Sequence, residues 1–392
     1  MSGSWRLAWR SLAYHKIRTS ILILCIALTT ALPIAVQGLI LRYEESLIAR
    51  ADATPLVVGA PGSRFDLLLH ALYFRGELAR DLSLADAEEI GGSGLATAIP
   101  VRQKHTARKF PLVGTSLDYF TFRGLTTAEG TFPQLLGDAV VGAEVARRLE
   151  FDLSSGEPAK ILSDSGTLYN IGASYPLQMT VVGVLAPSGT PDDRAVFVDV
   201  RTAWVVEGLG HGHESIDENV DPALVLTQEE GRVTANAAVR EYNKIDDTNR
   251  DSFHFHGGPE TWPVSAIIVD PPDQKSRTIL SARLKADERF EPIVPRTVLD
   301  ETFDLVFRVK RFFDANTILV SVATALFLAL IVALSWKIRE RERETLFKIG
   351  AGRRLIIEWT AIELGTILVC GATLAGGFVW VAVIAIGARW GV

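Results

Sequence analysis

Residues 337–354 read KIRERERETLFKIGAGRR, a short and charge-dense segment between two long apolar runs. Its basic residues outnumber its acidic residues by seven to three. Short loops with an excess of Lys and Arg are retained on the cytoplasmic side of a membrane. We therefore expect this segment to lie in the cytoplasm, and its position then sets the orientation of the whole chain.

Three apolar runs are long enough to cross a bilayer, which takes about 20 helical residues. They are predicted as transmembrane helices at residues 19–41, 314–336 and 355–392. The third run is longer than one crossing requires, so it is interpreted either as one long tilted or broken helix or as a hairpin of two short ones. The predicted fold class is membrane α plus α/β, with three or four transmembrane helices and a large α/β domain of two subdomains outside the cytoplasm, inserted between the first and second helices.

Residues 1–18 carry basic side chains and no acidic ones, together with Trp5 and Trp9. This pattern is typical of an amphipathic helix at the membrane–water interface. The apolar run that follows is too long for a signal peptide and lacks a small-residue cleavage site. The amino terminus is thus expected in the cytoplasm and residues 42–313 outside it.

The predicted outside domain is strongly acidic, which makes a nucleic-acid partner a poor match. The chain has two cysteines, Cys25 and Cys370, and both lie in apolar runs. The outside domain must therefore be stabilised by its core, without disulfide bonds. Asp192, Asp193 and Arg194 are interpreted as a turn with a local ion pair, and Glu363 as a helix–helix contact.

Residues 208–258 differ from their surroundings because they are polar, acidic and rich in histidine. Imidazoles beside a carboxylate are suitable ligands for zinc or another transition metal. Solvated loop histidines are the competing interpretation. The residues of this hypothetical metal site are His211, His213, Glu214, His254 and His256.

Two stretches resemble a known family. WRLAWRSLAYHKIRTSILILCIAL near the amino terminus and RERETLFKIGAGRRLIIEWTAIELG after the second apolar run are similar to segments of the MacB, LolC/LolE and FtsX permeases of ABC transporters. The order of helices and domains is similar over essentially the whole chain. Members of that family usually end with a fourth span, which is not evident here as a separate run.

The resemblance implies a subunit without catalytic activity in the bacterial inner membrane, working as a homodimer or heterodimer with a second permease. No G-x-x-x-x-G-K-[ST] motif occurs, so ATP and Mg²⁺ are expected on a separate ABC ATPase chain. Membrane lipid and a periplasmic adaptor or substrate protein are the other expected partners. Residues 337–354 would form the contact with the ATPase, through Arg343, Glu344, Leu346, Phe347, Ile349, Gly350, Arg353 and Arg354.

The predicted function is the transmission of ATP-driven motion to the periplasmic domain, which exports or extracts an amphipathic, peptide or lipid-like substrate. The alternative is an FtsX-like signalling subunit that activates a periplasmic partner such as a cell-wall hydrolase. No arrangement of nucleophile and base suggests an enzyme.

Overall fold

The structure is a computed structural model that describes residues 3–151, 153, 159–164, 176–213, 225–229, 232–235, 242–338 and 340–390. Two compact units are present. The helical unit comprises Met1–Ser46 and Phe303–Val392, and the α/β unit comprises Leu47–Thr302.

The helices of the described residues are as follows: α1 Gly3–Tyr14, α2 Lys16–Asp52, α3 Arg64–Tyr73, α4 Leu84–Gly92, α5 Asp118–Arg123, α6 Ala143–Leu149, α7 Val200–Val206, α8 Gln274–Ala286, α9 Pro295–Ile338, α10 Glu340–Lys348 and α11 Arg353–Trp390. The strands are β1 Leu56–Gly59, β2 Leu82–Ser83, β3 Thr97–Ala107, β4 Phe110–Thr115, β5 Thr127–Gly130, β6 Asp138–Val141, β7 Ala159–Leu162, β8 Gln178–Leu185, β9 Val196–Asp199, β10 Gly210–Gly212, β11 Val225–Glu229, β12 Arg232–Ala235, β13 Phe253–Phe255, β14 Pro263–Val264, β15 Ala266–Asp270 and β16 Glu291–Ile293.

The α/β unit is built on one mixed sheet in the order β16-β1-β15-β3-β4-β9-β6-β8-β5, with β7 also paired to β8. The β4–β9 and β6–β8 pairs are parallel, and the other pairs of this sheet are antiparallel. Near its carboxyl end the unit has a β–α–β–α succession, formed by β15, α8, β16 and α9. Strand β1 lies between β15 and β16, so the two strands are not neighbours.

Strand β8 has the alternation that its sequence predicts. Met179 and Val181 are buried, whereas Gln178 and Thr180 are partly exposed. Successive side chains of a strand point to opposite faces, so over residues 178–182 one face of β8 packs on the core and the other is partly exposed. Leu177, which precedes the strand, joins the buried set as expected.

Hydrophobic clusters around two groups of strands stabilise the described part of the α/β unit. One lies around β6, β8 and β9 and includes Val141, Met179 and Val196. The other lies around β1 and β15 with α4 and α8, and includes Leu56 and Ile267. The main sheet runs continuously past both clusters, and the expected division into two subdomains stays a prediction.

Among the described residues of the helical unit, two helical stretches are long and apolar enough to cross a membrane: Lys16–Gly38 in α2 and Arg353–Ala382 in α11. A shorter apolar stretch, Ile318–Phe327, lies within α9, where the sequence predicts another crossing. Helix α11 is one uninterrupted helix rather than a hairpin of two short helices. Helix α1 is a separate short helix that contacts α11, and the ring of Trp9 is exposed.

Candidate functional site

The segment expected to contact an ATPase contains a short helix, α10, followed by a turn into α11. Gly350 has φ +96°, in the left-handed region that favours glycine, and its N–H donates to the carbonyl of Phe347 at 3.0 Å. The N–H of Ala351 donates to the carbonyl of Leu346 at 3.0 Å. These bonds satisfy carbonyl groups at the carboxyl end of α10 and end the helix sharply.

Apolar side chains are exposed at this turn. Phe347 is 56% exposed and Ile349 is 75% exposed, while Leu346 is partly covered. Arg353 and Arg354 follow on the first turn of α11, both exposed, and Arg354 pairs with Glu358 at 3.0 Å. Glu344 is exposed on α10, and the side chain of Arg343 lies outside the described part of the chain. An apolar pair beside cations is suited to binding a pocket with an acidic rim.

Within the helical unit, Glu363 of α11 lies against α2. Its carboxylate is 3.4 Å from the guanidinium of Arg18, and the residue is 4% exposed. The interpretation of Glu363 as a helix–helix contact is therefore confirmed.

The carboxyl end of α2 is bonded into the interior of the α/β unit through Arg50. Its guanidinium donates to both carboxylate oxygens of Asp192, at 2.6 and 3.0 Å, and to the carbonyl of Leu72 at 2.5 Å. The hydroxyl of Tyr119 accepts from Arg50 at 3.0 Å and donates to Asp192 at 2.6 Å. All three guanidinium nitrogens of Arg50 and both carboxylate oxygens of Asp192 take part in these bonds, which offset the cost of burying the charges.

This network corrects the prediction of a local ion pair at residues 192–194. Pro191–Arg194 do form a turn, a short 3-10 helix. However, Asp192 is 1% exposed and pairs with Arg50, from a different element. Sequence reasoning missed this pair because nothing in the sequence relates positions 142 residues apart. The available signal was an arginine in the last turn of a long helix.

Burial and charge act in opposite directions on the carboxyl group of Asp192. Burial by itself would raise the pKa of Asp192, but the guanidinium of Arg50 holds that pKa below its ordinary value. Burial, together with the charge of Asp192, raises the pKa of Tyr119. The network of Arg50, Asp192 and Tyr119, called the buried anchor from here on, therefore consists of an ionised pair and a neutral phenol.

A second contact joins the carboxyl end of α2 to the start of α9. Arg296 binds Asp52 at 3.1 Å and, one turn along its own helix, Asp300 at 3.0 Å. All three side chains are partly exposed, so this contact is weaker than the Arg50 network. It nevertheless holds together the two helices that connect the α/β unit to the rest of the chain.

The structure brings four predicted metal ligands together. Strands β10 and β13 pair with His211 opposite His254. His213 and His256 lie two residues farther along the respective strands, hence on the same face of the ribbon. Ring centroids are 4.6 Å apart for His211 and His254, 5.1 Å for His213 and His254, and 4.9 Å for His211 and His256. Glu214 lies outside the described residues.

Comparisons with solved structures identify relatives of low identity. The periplasmic region of MacB from Actinobacillus actinomycetemcomitans is 12% identical with a TM-score of 0.36, and the alignment covers 66% of this chain and 97% of that one. The extracellular domain of the noncanonic ABC-type transporter YknZ from Gram-positive bacteria is 12% identical with a TM-score of 0.33, over 61% of this chain and 98% of that one. Among curated proteins, no sequence matches the chain.

The chain is assigned to a protein family by a match between its sequence and that family. The family described as MacB-like periplasmic core domain matches residues 19–242, which is more than half of the chain. The matched range contains most of α2, its buried anchor and the larger part of the main sheet. The chain belongs to the family of proteins with a MacB-like periplasmic core domain, as an ABC transporter permease of the MacB/FtsX type.

Proposed function

We propose that this permease subunit transmits ATP-driven motion from a separate ATPase, through its membrane helices, to the MacB-like domain. The proposal depends chiefly on the buried anchor at the end of α2. If the helix ended in a flexible linker, the linker would absorb a displacement of the helix and the domain would not move with it. Helix α2 instead ends in a bidentate ion pair that also binds Tyr119 and the carbonyl of Leu72.

Helix α9 supports the same proposal. It begins at Pro295, directly after β16, and continues without interruption to Ile338, next to α10. Because a regular helix resists bending and stretching, a push on α10 would be carried along α9 rather than absorbed. The Arg296–Asp52 contact then links α9 to the anchored end of α2. A mechanical stroke of this kind suits the export or extraction of an amphipathic, peptide or lipid-like substrate.

The exposed pair Phe347 and Ile349 is the proposed contact with the ATPase. Exposed apolar side chains of this size are suited to filling a pocket on a partner, and the adjacent Arg353 and Arg354 to pairing with acidic groups around it. Membrane insertion does not need these two apolar side chains, because it depends on the apolar runs and the basic loop.

The test uses the full-length chain in lipid nanodiscs with its ATPase subunit. F347D/I349D should insert normally yet lose the stimulation of ATP hydrolysis and the ATP-dependent change in hydrogen exchange of the MacB-like domain. L135D places one aspartate at an exposed apolar side chain of the α/β unit and should retain both the stimulation and the exchange response. Full stimulation by F347D/I349D would refute the coupling role. Recruitment of a periplasmic hydrolase upon ATP addition would instead favour the signalling function.

A further inference from the structure

The β10–β13 ribbon has two chemically different faces. Residues 210–213 read GHGH and residues 253–256 read FHFH, so alternation places all four histidines on one face. We propose that this face binds one divalent transition-metal ion of the zinc class, with His211, His213 and His254 as ligands. His256 lies beside two of them and can replace one as ligand.

The distances suit a single ion. One ligand nitrogen from each of His211, His213 and His254 can be chosen so that all three lie within 4.8 Å of one another. Zinc binds imidazole nitrogen at about 2.0–2.1 Å, which puts tetrahedral ligands roughly 3.4 Å apart. Side-chain rotations alone can close the remaining gap, because the three residues are only half buried.

One ligand is already held in the form that metal binding needs. Nδ1 of His254 lies 3.2 Å from the carbonyl oxygen of Ser252. A carbonyl can only accept, so Nδ1 carries the proton and the lone pair of the neutral ring is at Nε2. Metal-binding histidines usually donate their other ring N–H to a carbonyl or a carboxylate in this manner.

The opposite face of the ribbon is fixed to the core. Phe253 and Phe255 pack against the hydrophobic cluster around β6, β8 and β9. Each ring also covers the glycine opposite it: a Cβ at Gly210 or Gly212 would lie 2.6 Å from the facing ring. Because the ribbon is anchored through its aromatic face, the histidine face has a fixed backbone.

The aromatic face already supplies the contacts to the core, and His256 is exposed. A single metal ion would give these adjacent imidazoles a common bonding partner. Imidazole ligands favour zinc, copper, nickel or cobalt over calcium and magnesium, which prefer oxygen. Three protein ligands leave a coordination position open for water or an external donor.

The test measures metal binding by the full-length chain in detergent, without a histidine tag. After treatment with EDTA and its removal, zinc sulfate is titrated in competition with a chromophoric chelator. The wild-type chain should bind one zinc per chain, and cobalt chloride should give the visible bands of a low-coordinate site. H211N and H254N should each weaken binding by about 100-fold or more, since even outer-shell partners contribute about 10–100-fold.

The matched control is H105N, which makes the same substitution on β3, outside the ribbon. It should bind zinc as the wild-type chain does. Tryptophan fluorescence reports whether each variant is folded, because the Trp204 and Trp262 rings contact Phe255. Retention of wild-type affinity by a folded H211N/H254N double variant would overturn the proposal, as would a wild-type chain that binds no more zinc than this variant. The measurement needs no ATPase and is independent of the proposed function.

Discussion

The guanidinium of Arg50 binds both carboxylate oxygens of Asp192, and this pair fastens the end of α2 inside the MacB-like domain. Neither residue has access to solvent beyond a few per cent of its surface. A buried ion pair is costly to form because both charges lose their hydration. Its consequence is geometric: the pairing sets the position at which α2 enters the domain.

Removing one partner of this pair should destabilise the domain strongly. R50M leaves Asp192 buried without its counter-charge, and we expect a loss of about 3–5 kcal/mol of unfolding free energy. This loss is measured by hydrogen exchange of the backbone amides of β9 in the full-length chain. The double variant R50M/D192L should lose much less unfolding free energy than R50M and D192L lose in sum. R201M removes a more exposed pair, with Asp199, and should have little effect on the unfolding free energy. Equal stabilities of R50M and R201M would contradict the assignment.

His70 should make the stability of the domain sensitive to pH. The residue is 2% exposed, and burial lowers the pKa of its imidazole below 6.5. The unfolded chain therefore binds the proton more readily than the folded chain does. Stability from the neutral ring is complete above about pH 6.5 and is lost as the pH falls through the folded pKa.

The matched variant for His70 is H70N, which keeps a donor near the carbonyl of Gly76, the partner of Nδ1 at 3.0 Å. Urea denaturation followed by tryptophan fluorescence between pH 7.5 and pH 5 compares the two chains. The wild-type chain should lose more stability than H70N as the pH falls. Parallel pH profiles would rule out His70 as the source of the dependence.

Gly142 should be intolerant of a side chain. It precedes α6, and a Cβ there would lie 2.3 Å from the carbonyl oxygen of Asp192 and 2.4 Å from the backbone of Asp193. G142A must displace the turn that carries the Arg50 partner, at a cost of about 1–3 kcal/mol. G92A is the control, since its Cβ would meet no atom within 4 Å. Thermal unfolding compares them, and equal midpoints would contradict the expected clash.

Gly350 should matter for coupling more than Gly352 does. Only Gly350 has a positive φ, so G350A forces a side chain into a left-handed conformation at a cost of about 1–2 kcal/mol. The turn between α10 and α11 would then change, and stimulation of the ATPase should fall. G352A should be neutral because no atom lies within 4 Å of its Cβ. Similar stimulation by both variants would show that the turn geometry is not needed.

Glu363 should stabilise the helical unit, unlike its neighbour Glu358. E363Q removes the charge opposite Arg18 in a largely buried contact and should cost about 1–3 kcal/mol. E358Q affects only an exposed pair with Arg354 and should change stability by less than about 0.5 kcal/mol. Thermal unfolding in detergent compares the two. A larger effect of E358Q would contradict the location of the contact.

Much of the architecture could be predicted because it depends on local pattern. Apolar runs predict long helices, since their length and composition need no information from elsewhere in the chain. Alternation in β8 and the turn at Gly142 are likewise local properties. Residues Glu340–Lys348 of the basic segment form the short helix α10, whose role as the ATPase contact stays a proposal.

The sequence by itself determined the long apolar helices, the acidic α/β domain between them and the family. Hydrophobic periodicity, charge and the order of motifs are properties of the residue order alone and need no knowledge of tertiary contacts. Only the tertiary structure decided that Arg50 pairs with Asp192 and that GHGH meets FHFH with His211 opposite His254. Both relationships join segments distant in sequence. The register of paired strands and the position of the end of α2 bring such segments together, and both depend on the packing of the whole domain.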